Sequence, residues 1–209
     1  MADTTLIWDE GKGPWTLILA HGAGAPMDSS FMNSMAAKLA AQGITCVRFE
    51  FDYMAARRVD GRKRPPSPQA KLLEQWRAQV EAIRSRRTGP LAIGGKSMGG
   101  RMASMIADEV GVDALVCLGY PFHAPGKQDK PRVAHLAQLN TPTLIVQGDR
   151  DAMGAHETVQ GYSLAPAIHI YWLPSGNHDL EPLKRSGHTH EGHLAVAADE
   201  VAAFLSALA

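Results

Sequence analysis

The chain has 209 residues, 45% hydrophobic and 20% charged, with 21 Lys+Arg against 21 Asp+Glu. That length suits one domain with a sizeable core over residues 1–209, and a formal net charge of zero gives no general electrostatic pull toward nucleic acid or an anionic membrane. No apolar run approaches the ~20 residues of a membrane-spanning helix. Cys46 and Cys117 lie in separate apolar runs, as buried thiols of a reducing compartment do. The start, Met1 to Thr5, lacks a basic segment followed by an apolar one, so a cytoplasmic location is expected.

A weak strand near Thr5–Trp8 is followed by six clearer ones: Thr16–Ala20, Ile44–Phe51, Leu91–Ile93, Ala114–Leu118, Thr143–Gln147 and Ala167–Leu173. These runs are rich in β-branched residues and mostly do not alternate, which predicts parallel strands covered on both faces. Between them, Met32, Met35, Ala36 and Leu39 form an apolar stripe at helical spacing, with Ser29 and Ser30 as candidate caps. Leu72, Leu73, Trp76, Val80 and Ile83 form a second, in which Trp76 is expected to be core. Met102, Met105 and Ile106 continue a helix after Ser97, and Leu194, Val201, Phe204, Leu205 and Leu208 mark a last one. Tyr53–Pro68 and Tyr120–Thr141 read as irregular, the second with a short helix near Arg132–Leu139. Strands alternating with helices predict an α/β fold, a mostly parallel twisted sheet with helices on both faces. Neither irregular stretch is long enough for a cap domain, so an open, shallow site is expected.

The strand Leu91–Ile93 runs into Gly95-Lys96-Ser97-Met98-Gly99, with a helix after it. Glycines two before and two after a serine let strand and helix close on a sharp turn that holds the hydroxyl out as a nucleophile. Serine needs a base to take its proton, and the base needs an orienting acid. Asp149 and Asp151 both follow the strand Thr143–Gln147 as candidate acids, and His178 follows the strand ending at Leu173 as candidate base. The order Ser, Asp, His goes with a G-x-S-x-G turn. An oxyanion needs backbone N–H groups free of secondary structure. Met98 after the serine and Ala23 in His21-Gly22-Ala23-Gly24-Ala25 are the expected donors. Gly22, Gly24, Met27 and Tyr120 are the expected substrate-binding positions, and Met54, Met98, Met102 and Met105 are further candidates for an acyl pocket.

Other patterns yield less. Gly95-Lys96-Ser97 mimics the end of a phosphate loop, but Pro90 stands where that loop needs glycine. His188, His190 and His193 resemble metal-ligand spacing, yet Gly192 occupies the place of the required aspartate, so no metal is expected. Asp179, next to His178, is expected to cap a turn. Arg57, Arg58, Arg62, Lys63 and Arg64 read as a solvated loop or as a partner-docking element.

Four stretches together resemble the α/β-hydrolase superfamily: His21–Gly24 with Met27–Met32, Gly95–Arg101, Gly119–His123 and Gly176–Leu180. With the basic, proline-containing Arg62–Pro66, they are most similar to a small lidless family related to a testis-expressed protein and a subunit of a non-specific-lethal complex. The resemblance implies an α/β-hydrolase fold without a cap and a triad of Ser97, Asp151 and His178. The expected activity is serine-dependent hydrolysis of a small-molecule acyl substrate, an ester or thioester of small to medium size, with no cofactor. The competing expectation is a non-catalytic module that keeps the fold and docks a partner through the basic loop.

Overall fold

A computed structural model describes residues 6–208. Seven strands form one sheet: β1 (Ile7–Asp9), β2 (Thr16–Ala20), β3 (Thr45–Phe49), β4 (Leu91–Lys96), β5 (Ala114–Leu118), β6 (Thr143–Gly148) and β7 (Ile168–Leu173). Their order in space is β1-β3-β2-β4-β5-β6-β7. β1 pairs antiparallel with β3, and every other pairing is parallel. The weak strand expected at Thr5–Trp8 is found at Ile7–Asp9; Thr5 itself lies outside the described residues.

Each central strand feeds two cores, because successive side chains leave on opposite faces. Ile18, Phe49, Ile93, Leu115 and Ile145 enter one core, while Leu17, Leu19, Ala92, Val116 and Val146 enter the other. Helices cover both. The second core is closed by α1 (Ser30–Ala41), through Met32, Met35 and Leu39, and by α7 (His190–Ser206), through Leu194, Val201 and Leu205. The Ser29 hydroxyl caps α1 by accepting from the Met32 N–H. The first core is closed by α2 (Asp52–Asp60), α3 (Gln69–Arg84) and α4 (Met98–Ser104), with Trp76 fully buried against Phe49.

Two expectations need correction. Residues 53–60 are helical within α2, which ends at Gly61 with φ of 69°. Only the adjacent Tyr53 and Met54 are buried, and Val59 is exposed, so no buried stripe runs at helical spacing. The helix after Ser97 also does not run on through Met105 and Ile106. It breaks there and resumes as the single turn α5 (Ala107–Val110). The segment 119–142 carries only a 3₁₀ turn at Ala134–Gln138, and another single turn, α6 (His156–Val159), follows β6. No cap covers the sheet edge among the described residues.

β2 lies between β3 and β4, so the chain winds one way from β2 to β3 and the other way from β4 onward. Open α/β sheets leave a crevice at such a reversal, outside the carboxyl ends of the strands. Ser97 follows β4, and the turn from His21 follows β2. The candidate chemistry therefore sits at the reversal.

Candidate active site

Ser97 occupies φ 50°, ψ −115°, a backbone state in which a non-glycine residue is strained by roughly 1–3 kcal/mol. The surrounding contacts enforce it. A Cβ at Gly95 would stand 2.2 Å from the Ala20 carbonyl oxygen, and one at Gly99 would stand 2.4 Å from the same atom. Only bare backbone lets β4 and α4 press so closely on β2. From the outer side, the Trp76 indole N–H donates to the Gly99 carbonyl at 3.3 Å, so this core residue also braces the turn.

His178 stands in the loop after β7, its Nε2 2.8 Å from Ser97 Oγ and its Nδ1 2.7 Å from Asp151 Oδ2. Asp151 is fully buried, and its carboxylate accepts from Gln147 Nε2 and from the Met153 N–H, each at 2.8 Å. Three donors on one buried carboxylate fix its orientation. Asp149, the other candidate acid, turns away. It lines a separate surface groove with Arg150, His156 and Trp172, and its Oδ1 is buried without a partner among the described residues.

The turn after β2 is held by two buried groups. His21 Nε2 accepts from the Phe51 N–H at 3.1 Å, which leaves Nδ1 as the protonated nitrogen, 2.6 Å from the Gly22 carbonyl oxygen. Burial holds the His21 pKa below its usual value, favouring that neutral ring. The Tyr53 hydroxyl donates to the Ala23 carbonyl at 2.9 Å. In a trans peptide the N–H points opposite to the carbonyl, so His21 aims the Ala23 N–H away from itself. Among the described residues, neither this N–H nor that of Met98 donates to any protein group.

Ala23, Ser97 and Met98 line a cavity of about 480 Å³, whose far wall includes Arg101, Arg132 and Met153. Leu72, Met102 and Pro121 give it apolar surface. Of the expected substrate-binding positions, Gly22 lies against the serine: a Cβ there would be 3.7 Å from Ser97 Cβ. A Cβ at Gly24 would meet nothing within 4 Å. Met27 and Tyr120 instead are buried and do not line the cavity, Tyr120 packing in the first core. The Met27 N–H donates to Glu50 and the Tyr120 hydroxyl to the Arg132 carbonyl. Met54 is likewise core.

Lys96, absent from the expected site, is 7% exposed and ties the end of β4 to the loop after β7. Its Nζ donates to the His178 carbonyl at 2.8 Å, pairs with Asp179 Oδ1 at 3.1 Å and stands 5.6 Å from the Phe31 ring centre. Burial lowers the Lys96 pKa, and Asp179 opposes that shift. Asp179 is therefore a counter-ion and not the expected turn cap. That duty falls to Asn177, whose Oδ1 accepts from the Asp179 and Glu181 N–H groups.

The remaining patterns resolve into local packing. Arg58 is bound by Asp28 and Glu50, Arg64 by Asp60, and Arg57 donates to the Gly24 carbonyl, while Arg62 and Lys63 face solvent. His193 Nδ1 lies 2.8 Å from the Leu180 carbonyl oxygen, and His190 Nε2 lies 2.9 Å from that of Asp179. No cluster of three or more metal-binding side chains occurs among the described residues. No helix among them is long and apolar enough to cross a membrane.

Solved structures share this architecture. An alpha-beta serine hydrolase homologue from Coxiella burnetii aligns with a TM-score of 0.73 at 20% identity, covering 96% of this chain and 90% of that one. Est1E from Butyrivibrio proteoclasticus, in a structure with ferulic acid bound, aligns with a TM-score of 0.73 at 15% identity, covering 98% and 94%. A serine hydrolase without a lid from Xanthomonas campestris aligns with a TM-score of 0.64 at 20% identity, covering 96% of each. At these identities the likeness is one of fold. A family model described as an alpha/beta hydrolase domain matches residues 14–206, and the chain belongs to that family of α/β hydrolases.

Proposed function

We propose that this protein cleaves esters or thioesters of small to medium size through an acyl-enzyme on Ser97. The observation that carries the reading is the unbroken line from Ser97 Oγ through the His178 ring to the Asp151 carboxylate, with contacts of 2.8 and 2.7 Å. Neutral His178 takes the serine proton on Nε2 as Oγ attacks the acyl carbon. Asp151 keeps the other proton on Nδ1 and stabilises the imidazolium that forms. The developing oxyanion is bound by the N–H groups of Met98 and Ala23, the second aimed by His21. His178 then gives its proton to the leaving group, and water repeats the sequence to release the acid. Each proton transfer uses groups of this chain and water alone.

The finer kinship, with the small lidless family of the testis-expressed protein, belongs to this reading and rests on the stretches Gly95–Arg101 and Gly176–Leu180. A docking role for the basic loop is not favoured, since most of its arginines are already engaged within the molecule. The test is labelling by a fluorophosphonate probe, run beside turnover of p-nitrophenyl ester and thioester panels. Wild type should label and turn over, and Ser97→Ala should do neither. Labelling that persists in the variant moves the nucleophile elsewhere.

A further inference from the structure

Arg101 stands one helical turn beyond Ser97, its N–H donating to the Ser97 carbonyl at 3.0 Å. Residues four apart rise on the same side of a helix, about 6 Å apart along its axis. Its side chain lines the cavity that also holds Ser97. A guanidinium has five donors and no acceptor. One of them, on Nη2, meets the neutral amide oxygen of Gln69 at 3.3 Å, and Nε is buried with no partner among the described residues.

Arg132 reaches the same cavity from the segment after β5. Its backbone is pinned on both sides, the N–H donating to the Phe122 carbonyl at 2.6 Å and the carbonyl accepting from the Tyr120 hydroxyl at 3.2 Å. The cation therefore springs from a fixed base. Among the described residues neither arginine meets a carboxylate. Several arginines elsewhere are engaged, Arg48 with Asp9, Arg58 with Glu50, Arg77 with Glu109 and Arg84 with backbone carbonyls, while Arg62 is simply exposed to solvent.

Two like charges at one cavity wall repel each other, and the half-buried Arg101, unlike the exposed Arg132, also lacks part of the hydration of open solvent. Burial first, and the like charge of Arg132 after it, lower the Arg101 pKa, with Tyr120 opposing. Arginine stays charged all the same. A ligand anion entering the cavity would supply the missing partner. We infer that the Ser97 cavity selects acyl substrates bearing a carboxylate or phosphate a few bonds from the scissile carbonyl, with Arg101 and Arg132 holding that anion. This rests on the hydrolase reading above and names the substrate class for the same site.

The test compares two matched pairs. Monoethyl glutarate against ethyl pentanoate places a carboxylate on the acyl side; 1-butyrylglycerol 3-phosphate against 1-butyrylglycerol places a phosphate on the leaving group. In wild type the anionic member of at least one pair should exceed its neutral partner in kcat/KM about tenfold or more, the scale of one charge-assisted contact. The pair that shows the preference identifies which side carries the anion. Arg101→Gln should collapse the preference, Arg132→Gln should weaken it, and Arg101→Lys should keep part of it, because charge survives but the planar fork does not.

Neutral esters cleaved with no preference in either pair would overturn the inference and leave the hydrolase reading standing. So would a preference that survives both glutamine variants. If wild type cleaves no ester, the hydrolase reading falls. Calorimetric titration with monoethyl glutarate and 1-butyrylglycerol 3-phosphate then decides the anion site by itself. Binding that weakens about tenfold in Arg101→Gln supports it, and absence of binding at millimolar concentration overturns it. Arg132 lies on an exposed segment, so Arg132→Gln carries the comparison if Arg101→Gln does not fold.

Discussion

In α2 and the segment behind it, cations are answered close by and mostly at the surface: Arg64 by Asp60 four residues back, Arg58 by Asp28 and Glu50, Arg57 by a backbone carbonyl. At the carboxyl ends of β4, β6 and β7 the charged groups meet only because the sheet brings distant segments together. Lys96 joins Asp179 across 83 residues, and His178 joins Asp151 across 27. The first region is dense in charge along the sequence and neutral in space. The second is sparse along the sequence and concentrated in space, with a buried carboxylate and a nearly buried ammonium. Exposed ion pairs such as those of α2 contribute about 0–1 kcal/mol each, so their number says little about function. Buried charges cost desolvation, and they mark the edge where chemistry is expected.

Substitutions test that contrast, starting where the effect should be largest. Ser97→Ala should lower kcat by a factor on the order of 10⁶ and abolish probe labelling, as loss of a nucleophile does in serine enzymes. Asp151→Asn should lower kcat by about 10⁴, because the amide cannot hold the useful imidazole tautomer. Asp149→Asn, two residues away in the same loop, should change it little. Equal losses in the two variants would show that the buried position of Asp151 does not matter.

Lys96→Met should lower kcat about 10- to 100-fold while KM for a small neutral ester hardly moves, since a base displaced by about an ångström reacts more slowly without binding less. Unchanged kcat would reduce Lys96 to packing.

Asp179 offers a gentler probe through stability. Burial raises its pKa, but Lys96 outweighs burial and the net shift is downward. Its contribution is then fully present above the unfolded value of about 3.9 and lost as pH falls through the lower folded value. The difference in Tm between wild type and Asp179→Asn should hold steady from neutral pH to about 4 and shrink below it. A difference that fades well above pH 4 would mean the pair does not hold. Smallest of all, Arg62→Glu with Lys63→Glu should leave neutral-ester kcat/KM unchanged and stability within about 0.5 kcal/mol. A large loss in either would make the surface charge of this region functional.

Much of the fold is written in local order. The apolar runs at Thr16–Ala20 and Ala114–Leu118 coincide with β2 and β5, and the stripe from Leu72 to Ile83 lies within α3. The strand-then-helix setting of Gly95-x-Ser97-x-Gly99 and the chain order name Ser97, His178 and a choice between Asp149 and Asp151; the resemblance picks Asp151, which does meet the other two in space. What escapes is what depends on partners far off in the chain. Lys96 looks like a strand-end lysine until β7 brings Asp179 to it. Arg101 and Arg132 share a cavity only after the segment following β5 folds back over α4. Tyr120 and Met27 sit within motif-like stretches, but neighbourhood in sequence does not decide which way a side chain faces, and both face inward. Helix α2 buries only the adjacent Tyr53 and Met54, so no apolar face at helical spacing announces it.

The strained backbone at Ser97 sets the molecule's interest in folding against its interest in reacting. Glycine would occupy that conformation with far less conflict, so the position proposed for the nucleophile is also one where an inert replacement should yield a sturdier protein.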